Sequence, residues 1–181
     1  MRAVFSLLVV LAAAGAGFAY VQQTKPGWYE RLRYPLSYEH IVVGHAENYD
    51  LDPALLAAVI YRESKFDAGA RSQSGAIGLM QLLPTTAKGI AVHTGGSRFR
   101  VDDLYDPEIN VRYGAFYLRR LLTKYGDMRL ALAAYNAGQA NVDGWLEVGQ
   151  DIEFAETREY VDSVLELREV YRDAYAEQLG Y

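Results

Sequence analysis

Cysteine is absent from the chain. That excludes a disulfide framework and an acylated-cysteine lipoprotein anchor. Histidine is scarce: His40, His45 and His93 are the three present, and none stands at an HExxH spacing. No metal site and no cofactor is therefore expected. Clustered basic charge is also missing. The formal net charge is −5 and no Lys/Arg stripe could track a phosphate backbone, so nucleic acid is not an expected partner. The alternation of apolar and polar residues that marks strands is absent too, and helix breakers fall at helix-length intervals. No internal repeat or low-complexity tract follows the N-terminal segment.

What is present first is an uncharged run. Met1-Arg2 precedes AVFSLLVVLAAAGAGFAYV, apolar and small up to Val21. Two readings fit residues 1–21. One is a signal peptide cleaved after Ala14-Gly15-Ala16 or Gly17-Phe18-Ala19. The other is a single membrane anchor near the lower length limit for a span, and the polar linker that follows favours it. Both place the remainder outside the cytoplasm, in the cell envelope. Residues 22–33 read as a linker, with Trp28 and Tyr29 suited either to a membrane interface or to a packing contact.

The 181 residues are 51% hydrophobic and 23% charged, ordinary values for one globular domain with a proper core. Residues 34–181 read as an all-α domain of six or seven helices, expected to be monomeric. Ser37 is the expected cap of a helix carrying Ile41, Val42, Ala46 and Tyr49. Asp52 and Pro53 start the next. Pro84 opens a helix ending at Thr94. Asp102 to Asp106 is a turn, and Pro107 starts the longest helix, with Ile109, Tyr113, Phe116, Tyr117, Leu121 and Leu122 near one face and Gly126 as its stop. Asp127 caps a helix running to Tyr135. Val142 to Val148 is one helical turn around Trp145, and a final helix spans about 156–178.

Along the helix begun at Asp52, the apolar stripe Leu56, Val59, Ile60 continues to Glu63. A carboxylate on a core-facing line is costly to ionise. Burial would raise its pKa into the range a general acid needs. The spacing is equally met by a helix-end Glu that leans into solvent or pairs with Arg62 or Lys65. Other stretches carry suggestive chemistry. Gly75 and Gly78 allow tight turns or close approach to a ligand. Gln81 offers an uncharged donor and acceptor for a sugar, and Met80 a soft apolar wall. Tyr135, Asn136 and Tyr160 stand near helix ends where polar groups can meet a cleft. Singly, each has an ordinary structural reading: core filler, buried ring, helix cap.

Taken together, the set ES…S-x-x-G-A-x-GLMQ-x-x-P-x-TA…AYNAG…ETR-x-YV resembles the soluble lytic transglycosylases, from about Tyr34 to Tyr171. That resemblance implies a lysozyme-like domain of the goose-type lysozyme kind, acting on the glycan strands of bacterial peptidoglycan. It implies Glu63 as catalytic acid and base, with Ser64 as its usual neighbour. Ser72 would hydrogen-bond the glutamate or the substrate. Gly78, Met80 and Gln81 would belong to the sugar cleft. Tyr135 and Asn136 would hold the glutamate and substrate, and the Tyr160 hydroxyl would lie near Glu63. A two-carboxylate glycosidase needs a partner for Glu63. Asp67 falls where the chain leaves the helix, Asp102, Asp103 and Asp106 sit in a distant turn, and no motif supplies another. The family's reaction fits that lack: the sugar's own C6 hydroxyl attacks C1, leaving a 1,6-anhydromuramoyl end without consuming water. A lysozyme-type hydrolase and a non-catalytic peptidoglycan-binding module are the competing expectations.

Overall fold

The computed structural model describes residues 2–94, 96 and 98–181, with the side chains at 2–5, 7–10, 12 and 22 excepted. The chain divides into two compact units, one ending at Pro35 and the other Leu36–Tyr181. The first contains helix α1 (Arg2–Thr24) and helix α2 (Gly27–Arg33). Residues 22–33, expected as a linker, are helical to Thr24 and again from Gly27. Gln22 and Gln23 are good helix formers, and Pro26 stands as the N-cap of α2. Among the described residues no helix is long and apolar enough to cross a membrane. The signal or anchor expectation for residues 1–21 falls in part on side chains outside those described.

The second unit is built of helices joined by loops: α3 (Glu39–Asn48), α4 (Pro53–Ser64), α5 (Pro84–His93), a 3-10 turn (Val101–Tyr105), α6 (Pro107–Tyr125), α7 (Met128–Ala137), α8 (Gln139–Glu147), α9 (Ala155–Ala174) and α10 (Ala176–Leu179). Only isolated bridges, Arg71 to Ile77 and Ile77 to Leu82, punctuate it among the described residues. The all-α expectation holds here, with eight α-helices in this unit rather than six or seven. The extra ones come from the C-terminal part. The turn around Trp145 is a full helix, α8, and the last long helix stops at Ala174, with α10 as a separate turn. Ser37 does not cap α3. Tyr38 does, at φ 55°, without a side-chain bond.

Aspartates start three of these helices. Asp52 accepts from the Ala54 and Leu55 N–H groups, Asp106 from Glu108 and Ile109, and Asp127 from Leu130. Each such cap is worth about 1 kcal/mol, and Pro53 and Pro107 add preset φ angles at the first helical position. Helix α4 is buried on every side from Ala54 to Ile60, as a central helix of a globule must be. Its most extensive partner is α9, while α7 packs on both α6 and α9. Small residues at the contacts (Ala57, Ala58, Ala133, Ala134, all fully buried) let these axes approach. The far end of the α4–α9 pair is clamped by charge. Asp52 accepts from Arg168 Nε at 2.5 Å and Arg172 at 2.7 Å, both on α9, and from the Tyr181 hydroxyl. Burial alone would raise the Asp52 carboxyl, but these bonds hold it below its ordinary value. The near end of the same pair carries Glu63 and Tyr160.

Candidate active site

Glu63 lies in the last turn of α4. The helix stops because Lys65 and Phe66 both take left-handed backbone angles, φ 52° and 65°. Such angles are uncommon outside glycine and mark a forced change of direction. The turn leaves Glu63 facing a cleft of about 490 Å³. Helix α4 contributes Arg62 and Glu63 to its walls, and the segment before α5 contributes Ser72, Gln81 and Leu83. The end of α7 adds Tyr135 and Asn136, and the start of α9 adds Glu156 and Tyr160.

The carboxyl of Glu63 is raised from 4.5 to about 7, chiefly by burial. Two groups pull it back: the Tyr160 hydroxyl, which donates to Oε1 at 2.7 Å, and the charge of Arg62. Tyr160 is itself fully buried, which together with the Glu63 charge keeps its hydroxyl protonated and so a donor. A carboxyl that titrates near neutrality, with a donor waiting for its ionised form, can give a proton and take one back. Activity that needs the protonated acid is therefore expected to fall as pH rises through about 7. In Tyr160→Phe the ionised form loses its donor, so the alkaline limb of a pH–rate profile should move upward. An unmoved limb would show that the bond does not tune Glu63.

The wall opposite is a loop held by its backbone from three helices. The Ser64 hydroxyl, on α4, donates to the Leu79 carbonyl at 2.8 Å. The Met80 N–H donates to Asn110 Oδ1, on α6, at 2.8 Å. The Tyr135 hydroxyl, on α7, donates to the Met80 carbonyl at 2.8 Å. Asn110 is wholly buried and spends its amide on the Ile77 and Leu104 carbonyls. Gly78, at φ 80°, passes so near Asn110 that no side chain fits. Gly114, one helical turn beyond Asn110, leaves room for the Met80 side chain. With its backbone fixed, Gln81 turns at φ 48°. Its amide nitrogen donates to the Gly78 and Ala70 carbonyls.

Comparison with known proteins follows the same lines. The transglycosylase SLT domain family matches residues 41–157, and a soluble lytic murein transglycosylase of Salmonella typhimurium is 34% identical over 157 residues, covering 77% of this chain and 24% of that protein. The chain belongs to the transglycosylase SLT domain family. A membrane-bound lytic murein transglycosylase F of Yersinia pestis is 34% identical over 148 residues, 70% of this chain and 28% of that one. The lytic transglycosylase Slt of Pseudomonas aeruginosa, solved as an inactive glutamate-to-glutamine mutant, superposes with TM-score 0.76 at 34% identity. That match covers 86% of this chain and 27% of that one. The chain thus spans about a quarter of the length of these relatives.

Within this SLT domain, the residues singled out by sequence divide into two groups. Glu63, Ser72, Gln81, Tyr135, Asn136 and Tyr160 line one cleft. Ser64, Gly78 and Met80 do not. Met80, expected as an apolar wall, is fully buried, because Gly114 gives its side chain a socket inside the domain. Gly78 and Ser64 shape the loop from behind. In the cleft wall the Ser72 hydroxyl accepts from the Ala76 N–H and pairs with the Ser74 hydroxyl. The Tyr135 hydroxyl holds the loop rather than Glu63, and Asn136 accepts from Thr157 on α9. Sequence reasoning missed Asn110, Gly114 and the cleft positions of Arg62 and Glu156. The Asn110–Gly114 pair, four residues apart on a helix, carried a signal: a polar and a missing side chain beside the buried Tyr113.

Proposed function

We propose that the domain cleaves the β-1,4 bond between muramoyl and glucosaminyl units of bacterial peptidoglycan, as a lytic transglycosylase. Glu63, protonated, gives its proton to the glycosidic oxygen. The N-acetyl group of the muramoyl unit assists at C1, as in substrate-assisted glycosidases. Glu63, now ionised and held by Tyr160, takes the proton of the C6 hydroxyl as that oxygen attacks C1. The bond to the leaving sugar breaks, the C6–O–C1 bridge forms, and no water enters. The observation that carries this reading is the Glu63 carboxyl, raised to about 7 in the cleft beside the Tyr160 hydroxyl. The inactive glutamate-to-glutamine mutant of the Pseudomonas aeruginosa relative supports it. We assign the catalytic domain to 34–181, acting in the cell envelope as a monomer on glycan strands. Residues 1–21 would deliver it there as a signal or an anchor, and the membrane-bound relative supports the second.

Digestion of purified peptidoglycan tests the reaction: soluble muropeptides ending in 1,6-anhydromuramoyl groups are expected, whereas a binding module releases nothing. One observation favours a second reading, a lysozyme-type hydrolase. Glu156 lines the same cleft, where no second carboxylate was evident from the motifs. Under the lyase reading Glu156→Gln keeps activity within about tenfold of the parent. A hydrolase that relied on it would lose about a hundredfold or more.

A further inference from the structure

We propose that Arg62 recognises a carboxylate on the substituent that the muramoyl unit carries at O3, which deepens the peptidoglycan reading and rests on it. Arg62 is the cation among the described residues lining the cleft, immediately beside Glu63 in sequence and in the wall. Its guanidinium lies over the Tyr160 ring, 5.4 Å from the centroid. It makes no hydrogen bond or ion pair among the described residues. The ring contact steadies the group from one face and leaves its edge free. That edge carries five N–H donors in a planar fork matched to a carboxylate.

The other charged groups in the wall do not satisfy it. Glu63 is neutral while it holds the proton it is to donate, and Glu156 is exposed and unpaired with it. A strand of neutral sugars offers such a fork only uncharged acceptors, with no charge-assisted bidentate partner. The muramoyl unit does, and it is the sugar whose C1 must sit against Glu63. In stem-free strands its 3-O-lactyl group ends in a carboxylate. In stem-bearing strands that carboxyl is an amide, and the acidic residues of the peptide supply the charge instead. Either supplies an anion attached through O3 of the unit whose C1 meets Glu63, and Arg62 lines that same cleft. Binding the anion there also sets the muramoyl ring in register for proton transfer, so Arg62 is a specificity-determining residue rather than a catalytic one.

The test is the release of anhydro ends from three soluble strands: stem-free, stem-free with the lactyl carboxyl converted to its methylamide, and stem-bearing. For the parent protein, KM on the methylamide strand should exceed that on the carboxylate strand about fivefold, the effect of one partly exposed charge-assisted pair. In Arg62→Gln that ratio should fall to about one, and Arg62→Lys should restore part of it. If the recognised carboxylate belongs to the peptide, the penalty of Arg62→Gln appears on the stem-bearing strand alone. Taking ratios within one variant cancels any change in Glu63 acidity caused by losing the neighbouring charge. Parent and Arg62→Gln ranking all three strands alike would overturn the assignment and leave the lytic reaction standing. Failure of the parent to release anhydro ends from any strand would overturn the reaction itself.

Discussion

Glu63→Gln is expected to lower the rate of glycan cleavage by about 10³-fold or more, since one side chain supplies both the acid and the base and each role alone is worth 10² to 10⁴. The amide keeps the shape and still accepts from Tyr160, so the fold should survive. The same variant carries a second, opposite signature. The folded-state pKa of Glu63, about 7, lies above its ordinary 4.5. Between those values the folded protein holds a proton that the unfolded chain has released. Stability therefore falls as pH rises through that window, and above about 7 the ionised buried carboxylate costs up to about 3 kcal/mol. Gln has no such cost. Glu63→Gln should melt several degrees above the parent at pH 8 and lose that advantage near pH 4. Equal melting curves at both pH values would mean that Glu63 is not buried in the way its chemistry requires. A variant that cleared cell walls as well as the parent would remove it from the mechanism altogether.

Gly78→Ala is expected to destabilise the domain by about 3–5 kcal/mol and to abolish cleavage. An added Cβ would lie 2.2 Å from Asn110 Nδ2 and 2.3 Å from the Leu104 carbonyl oxygen. Neither atom can step aside cheaply. Asn110 is committed to the Met80 N–H and to two carbonyls, and Leu104 O is backbone. The residue also sits at φ 80°, where any side chain is strained. The loop would have to leave its helices, carrying Gln81 out of the cleft. Gly75 provides the control. It too has a positive φ, 84°, but an added Cβ would meet nothing within 4 Å. Gly75→Ala should cost only about 1–2 kcal/mol and retain cleavage. Chemical denaturation of the two variants side by side measures the difference. Equal costs would show that backbone angle, and not the approach to Asn110, decides the role of Gly78.

The contrast between those glycines marks where sequence reasoning succeeds and where it stops. Helix α4 was legible because its signals are local: Asp52 caps, Pro53 presets φ, and the apolar run reaches the turn that holds Glu63. The same locality exposed Pro84, Pro107, Asp127 and Gly126 as helix boundaries. Met80 was misread because nothing within its own loop reports its socket, which is made by Gly114 on a helix more than thirty positions away. Asn110 looked like an ordinary polar residue of a long helix, since burial of a polar group shows only when its partners are seen. Ser37 lost its expected role to Tyr38, a non-glycine residue in left-handed geometry that propensity does not anticipate. Glu156 and Arg62 were visible as letters, one inside a motif and one beside the glutamate. Their shared cleft depends on how α4, α7 and α9 converge. The carboxyl of Glu63 is the point where both levels agree: an apolar stripe runs into it, and the fold leaves it half-buried at the cleft wall.

The source of the oxygen on C1 tests most directly whether that carboxyl works alone. Cleavage of purified glycan strands in water enriched in heavy oxygen, followed by mass analysis of the released ends, reads it out. The account predicts ends lighter by one water than a reducing sugar and free of the heavy isotope. Reducing ends that carry the heavy oxygen would mean that water, not the sugar's C6 hydroxyl, is the nucleophile.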